Sequence, residues 1–222
     1  MPNGFNVGNP GLEAERTWSY EGGLDFVLCP ALTLRSTYFN RYGRNLIDYV
    51  PTPGSVVQAS TGFTNLNPAS TYRFAQNLFA VSTQGLEFEA STRAQLTTGL
   101  RLDGSVGYTY THLNVDGNIV SQYLSNVARQ LVSGNVSLVH RRFTASLGGV
   151  YKQRAGLPPV GDFTLSSDYV VINGRLDVAV LPERLWVVGQ AQNLFDAKYA
   201  DLLGAQMPGR WLMAGVRLVL RK

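Results

Sequence analysis

Few residues of this 222-residue chain suit metal or redox chemistry: it has one cysteine, Cys29, and two histidines, His112 and His140. A lone cysteine excludes an internal disulfide, and beside Pro30 in an expected turn it reads as a small apolar residue. The histidines stand at a loop end and a turn, without partners at the spacing that a metal site or general base requires. No stretch is apolar over eighteen residues, which excludes a membrane-spanning helix. The net charge of +4 is scattered, without a basic run or an aromatic-spaced patch, so nucleic acid is not expected as a partner. There is no glycine-rich phosphate loop after a strand and no nucleophile elbow. No catalytic residue, metal or cofactor is expected. The start, Met1-Pro2-Asn3-Gly4-Phe5-Asn6, also lacks the basic and then apolar regions of a secretory signal.

Alternation is what the chain does have. At its end, Leu212, Ala214, Val216, Leu218 and Leu220 fall on one side, and Trp211, Met213, Gly215, Arg217 and Arg221 on the other. Such a pattern is a strand with one apolar face. Its length of about ten residues is what a tilted strand needs to cross a membrane's hydrocarbon layer. The same pattern predicts strands over Thr17–Leu28, Leu32–Tyr42, Asn77–Arg93, Leu100–His112, Ala128–His140, Phe143–Arg154, Tyr169–Val180 and Leu185–Asn193. Short turns at Cys29-Pro30-Ala31, Arg141-Arg142 and Leu181-Pro182-Glu183-Arg184 alternate with long connections. The stretch from Gly43 to Arg73 reads as a long irregular loop. The others carry the turn signals Asp116-Gly117-Asn118, Pro158-Pro159 and Gly161-Asp162. Tight turns at one end and long loops at the other are the pattern of an antiparallel up-and-down transmembrane β-barrel.

Side-chain placement agrees with that architecture. Trp18, Tyr20, Tyr38, Tyr108, Tyr110 and Tyr151 fall on the apolar face near the long loops; Phe26, Phe88, Phe143 and Trp186 are assigned to the short-turn level. Two aromatic levels correspond to the two interfaces of a membrane. The other face carries both signs of charge: Glu21, Asp25, Arg35, Arg41, Glu87, Glu89, Arg93, Arg101, Asp103, Lys152, Arg154, Arg175, Asp177 and Arg217. These would be costly against lipid but not against a wet lumen. A soluble all-β binding module would also solvate the charges, but would leave the apolar band without cover.

Several motifs resemble one family. Asn193-Leu194-Phe195-Asp196, Tyr199 and Met207-Pro208-Gly209-Arg210 before a final strand are similar to the end of TonB-dependent outer-membrane receptors. Asn9-Pro10-Gly11-Leu12-Glu13-Ala14-Glu15-Arg16, leading into Trp18-Ser19-Tyr20-Glu21, and Gly85-Leu86-Glu87-Phe88-Glu89 match in the same order. The resemblance implies a receptor in the outer membrane of a Gram-negative bacterium. Its cargo would be a ferric siderophore, cobalamin or a similar scarce nutrient, and its partners lipid, a plug domain and the TonB complex. A passive porin or a barrel enzyme is the alternative among membrane barrels.

Family members have a twenty-two-strand barrel and an N-terminal plug. The chain's nine or so strands correspond to the C-terminal part of the barrel, residues 1–222, without plug, TonB-contacting segment or signal peptide. A fragment or truncated reading frame is expected. Lys222 takes the position where outer-membrane barrels carry a terminal aromatic residue. Asn193, Leu194, Phe195, Asp196, Tyr199, Pro208, Gly209 and Arg210 are expected to serve the wall, by capping loop backbone and setting backbone angles. Cargo contacts are expected from loop-side inward residues: Arg41, Tyr72, Thr111 and Arg154.

Overall fold

The computed structural model describes residues 6–77, 80–115, 124, 126–155, 166–182, 184–202 and 205–220. The turn signals at 116–118, 158–159 and 161–162, and Glu183, Arg221 and Lys222, lie outside them. In chain order the elements are β1 (Asn6–Val7), β2 (Arg16–Cys29), β3 (Leu32–Arg44), β4 (Ile47–Pro53), α1 (Gly54–Thr61), β5 (Thr71–Asn77), β6 (Val81–Thr97) and β7 (Leu100–Val115). They continue with β8 (Ala128–His140), β9 (Phe143–Arg154), β10 (Asp168–Leu181), β11 (Leu185–Gln192), β12 (Ala200–Leu202), β13 (Ala205–Gln206) and β14 (Trp211–Leu218).

Nine of these strands form one sheet in the order β2-β3-β6-β7-β8-β9-β10-β11-β14. Every neighbouring pair is antiparallel, so the sheet is an up-and-down meander with β2 and β14 as its edges. The period of two separates its faces. Leu24, Ser36, Phe88, Tyr108, Val132, Tyr151 and Val170 form one cross-strand row. The next row, on the opposite face, runs Asp25, Arg35, Glu89, Gly107, Ser133, Val150 and Val171. Among the described residues nothing covers the apolar face: Leu24 is 63% exposed, Leu147 52% and Leu212 68%. Among the described residues, the buried apolar side chains of the sheet's neighbourhood lie at strand ends and in one insert, apart from Val171 on the polar face.

That insert corrects the expectation of an irregular loop after Gly43. Its strand β4 pairs with β5, and β5 accepts β1 in parallel on its other side, Val7 opposite Phe74. Helix α1 packs Val57 against Val7 and Phe74, with Leu66 and Tyr72 around them. Alternation misses β4 because its buried side is polar: Asp48 and Thr52 point in, and Gln76 Nε2 donates to Thr52 Oγ1 at 2.7 Å. The helix, Gly-Ser-Val-Val-Gln-Ala-Ser-Thr, has weak helix formers at every position but Gln58 and Ala59. It closes on Gly62 at φ 75°, whose N–H reaches the Gln58 carbonyl. A β-carbon at Gly54 would collide with the Asn67 carbonyl oxygen, so the tight entry requires glycine.

Other boundaries shift. The strand expected from Asn77 starts at Val81, Asn77 ending β5, and β7 runs past His112 to Val115. The last strand stops at Leu218, although Val219 N–H still reaches the Arg184 carbonyl at 2.8 Å. Trp186 belongs to the polar face, where the Arg217 guanidinium lies 5.0 Å above its ring. Phe88 stands directly across from Tyr108 at mid-strand, so the two aromatic levels are not separate there.

Candidate functional site

The polar face is organised by ion pairs, three between adjacent strands and two along a single strand. Arg35 joins Asp25 (2.9 Å) to Glu89 (3.4 Å), Asp103 takes Arg93 (3.0 Å) and Arg101 (2.8 Å), and Arg175 grips Asp177 (2.7 Å). The register sets Asp25, Arg35 and Glu89, and Arg93 and Asp103, side by side, while Arg101 and Arg175 reach the acid two residues on along their own strands, on the same face. Solvated pairs of this kind contribute little to stability, and what they do is keep the face uniformly polar.

A denser cluster forms where the long connections leave the sheet. Strand β9 puts Lys152 and Arg154 two residues apart on the polar face, and β10 sets Tyr169 opposite Lys152. The hairpin of β12 and β13 reaches over them with Asp201. Lys152 Nζ donates to Asp201 Oδ1 at 3.0 Å and to Asn126 Oδ1 at 3.1 Å; the Tyr169 hydroxyl donates to the same Asp201 oxygen at 2.9 Å. Arg154, 6% exposed, donates to Asn126 Oδ1 and to the Ser166 and Ala200 carbonyls, with its guanidinium 5.5 Å over the Tyr169 ring. Tyr199 stacks on Tyr169 at 4.7 Å between ring centres. The hydrogen bond from the Lys152 ammonium holds the Asp201 carboxyl below the ordinary carboxylate range; partial burial opposes this, and the Tyr169 hydroxyl and the Arg154 charge assist it.

Of the four expected cargo residues, Arg154 alone lies in this cluster. Arg41 borders a separate recess with Ser19, Glu21, Thr37, Phe39 and Glu87 on the same face of β2, β3 and β6. Thr111 faces Gly85 across β6 and β7, in the row that contains Phe39. Tyr72 packs in the insert, its hydroxyl accepting the Asn67 N–H at 2.9 Å. Sequence pattern alone does not single out Tyr169 and Asp201. The available signal is a basic pair of one parity, Lys152 and Arg154, together with a later connection, residues 193–210, that carries two acids, Asp196 and Asp201.

The sequence motifs hold chain crossings together. Asn193 sits at φ 49° and 3% exposed. Its Oδ1 accepts the Ala197 N–H at 2.8 Å, and its Nδ2 donates to the Ala197 and Pro208 carbonyls. Asp196, at φ 56°, accepts the Arg210 N–H at 2.7 Å, and a β-carbon on Gly209 would meet that carboxylate at 2.6 Å. The exit of β11 is thus stapled to the entry of β14. Leu194 N–H reaches the Ile172 carbonyl, and Phe195 stays 71% exposed. At the other edge, Asn77 donates to the Glu13 and Asn45 carbonyls and accepts the Glu13 N–H, while Glu15 accepts the Ile47 N–H. Gly85 leaves room for the Phe39 ring, which would lie 2.6 Å from an added β-carbon.

Among the described residues, no helix is long and apolar enough to cross a membrane, and no cluster of three or more His, Cys, Asp or Glu could hold a metal ion. Nothing among curated proteins matches the chain. Solved structures do. The FrpB iron transporter of Neisseria meningitidis superposes with a TM-score of 0.60 at 18% identity, over 96% of this chain and 32% of its own. The ferripyoverdine receptor of the outer membrane of Pseudomonas aeruginosa gives 0.62 at 19%, over 93% and 27%. The copper transporter OprC gives 0.66 at 15%, over 95% and 33%. The chain therefore spans about a third of the length of these structures, and at such identities the likeness is one of fold. The family model described as "TonB dependent receptor-like, beta-barrel" matches residues 1–200, and with a nine-stranded meander of one apolar and one charged face behind that match, the chain belongs to the TonB-dependent receptor β-barrel family.

Proposed function

We propose that this chain forms the C-terminal section of a receptor barrel in a Gram-negative outer membrane. Its two-faced sheet carries that reading. The apolar face is exposed on strand after strand, which a soluble module could not sustain. The edges β2 and β14 present unpaired backbone groups, which lipid cannot satisfy, so further strands of a larger barrel must close it. Outward residues such as Leu24, Leu147 and Leu212 then meet lipid, and the ion-paired face meets a wet interior and a plug.

The cargo in this reading is a metal chelate of the siderophore class, cobalamin being the other candidate. An iron transporter and a ferripyoverdine receptor among the structural neighbours support the first. Arg41, Thr111 and Arg154 would face the cargo path. Release would depend on TonB pulling the plug, and no step calls for an enzyme. The test is uptake of radiolabelled iron by a Gram-negative strain stripped of its own siderophore receptors and expressing the complete receptor of which this chain is part. Uptake that disappears when TonB is deleted is expected. Uptake unchanged without TonB would refute energised import and leave a passive pore.

A further inference from the structure

We infer that Lys152, Tyr169 and Arg154 form a carboxylate-binding site which Asp201 of the β12–β13 hairpin occupies in place of a ligand, so that an anionic cargo takes the site by displacing the hairpin. The inference rests on the receptor reading and adds to it a ligand chemistry and a moving part.

The site is built into the wall. Lys152 and Arg154 come from β9 and Tyr169 from β10, strands paired throughout their shared length, and Lys152 has a 13% exposed side chain. Their donors converge on one carboxylate oxygen, at 3.0 Å from Lys152 and 2.9 Å from Tyr169. The carboxylate itself belongs to a three-residue strand in a connection, with a 48% exposed side chain. The donors are thus held by the wall and the acceptor by a small hairpin. A second carboxylate offers the same hydrogen bonds and the same charge, so exchange costs the wall nothing in satisfied donors. Arg154 donates to Asn126 Oδ1 and to the Ser166 and Ala200 carbonyls, and contributes its positive field to the site. The Met207 N–H on the Tyr199 carbonyl, 2.9 Å, closes the hairpin's base. Tyr199 and Tyr169, their rings inclined by 35°, offer aromatic surface beside the charge. The ligand class is a polycarboxylate or another hard-oxygen chelator with aromatic surface.

The test uses the complete receptor of which this chain is part, folded in detergent micelles, with a spin label at Gln206→Cys in a Cys29→Ala background and citrate as the probe. In the parent, citrate should turn an immobile label mobile. Asp201→Asn should leave the label mobile without citrate and tighten citrate binding about tenfold, since the site no longer spends its time occupied by the chain's own carboxylate. A gain in affinity cannot come from misfolding. Lys152→Gln should weaken citrate at least tenfold, and Tyr169→Phe, which removes one hydroxyl, by a smaller factor. Citrate affinity unchanged in Asp201→Asn would overturn the inference. So would release of the hairpin by sodium chloride at matched ionic strength, because screening alone would then suffice. Either result leaves energised iron uptake untouched, so the latch and the receptor reading fail separately.

Discussion

Asn193 combines two roles in one side chain, a backbone at φ 49° and three hydrogen bonds that close the loop between β11 and β14. Asparagine tolerates the left-handed region better than alanine does, and its buried amide satisfies a donor and two acceptors. Asn193→Ala should lower stability by about 2–4 kcal/mol, as lost hydrogen bonds and backbone strain add. Asn193→Gly, which relieves only the strain, should recover less than half of that. Urea unfolding in micelles separates the two, and equal losses would show that the backbone angle is not a factor. Asp201 makes a second prediction. Its carboxyl lies below its ordinary value of 3.8 because Lys152 donates to it, against partial burial, with Tyr169 and the Arg154 charge assisting. A depressed carboxylate contributes fully above its ordinary value, and the contribution is lost as pH falls through the lowered one. A label at Gln206 should therefore stay immobile from neutral pH down to about 4 and loosen only below it. In Asp201→Asn that acid step should be gone, and its persistence would assign the transition to another group.

At the scale of elements, the nine wall strands are legible because each alternates against a fixed apolar side; Ala128–His140 and Phe143–Arg154 coincide with β8 and β9. The insert is not legible by the same physics. Strand β4 hides Asp48 and Thr52 and exposes Ile47, inverting the pattern, and its pairing with β5 spans a helix of low intrinsic propensity. The candidate site is half legible: parity puts Lys152 and Arg154 on the polar face, but nothing local announces that Asp201 folds back onto them across 49 residues. Tyr72 shows the converse, a loop tyrosine that reads as a cargo contact and packs in a core. That core is small and self-contained. Phe74, 3% exposed, lies between Val7 and Val57, and Phe74→Ala should cost about 3 kcal/mol. So few buried apolar side chains cannot absorb that loss. Protease should then cut between residues 62 and 70 while the nine-stranded sheet stays intact to it. Loss of both together would mean that the insert and wall fold as one unit.

For the whole molecule, the decisive property is which face meets lipid, and adjacent residues can test it at one depth. Ser146 and Leu147 are neighbours in the middle of β9, the first on the ion-paired face beside Arg175 and the second 52% exposed on the apolar face. In a bilayer, Leu147→Arg buries a charge in hydrocarbon and should cost about 2–4 kcal/mol. Ser146→Arg enters a wet, charged interior where Asp177 stands one row away, and should cost under 1 kcal/mol. A soluble module predicts no such asymmetry, because an exposed leucine on a water-facing sheet accepts arginine at little cost. Folding of the complete receptor of which this chain is part into lipid vesicles, followed by tryptophan emission during denaturant titration, measures both variants against the parent. Equal effects of the two substitutions would remove lipid from the apolar face and with it the barrel. The predicted difference, by contrast, would fix which way the wall faces, leaving β2 and β14 as edges that only further strands can close.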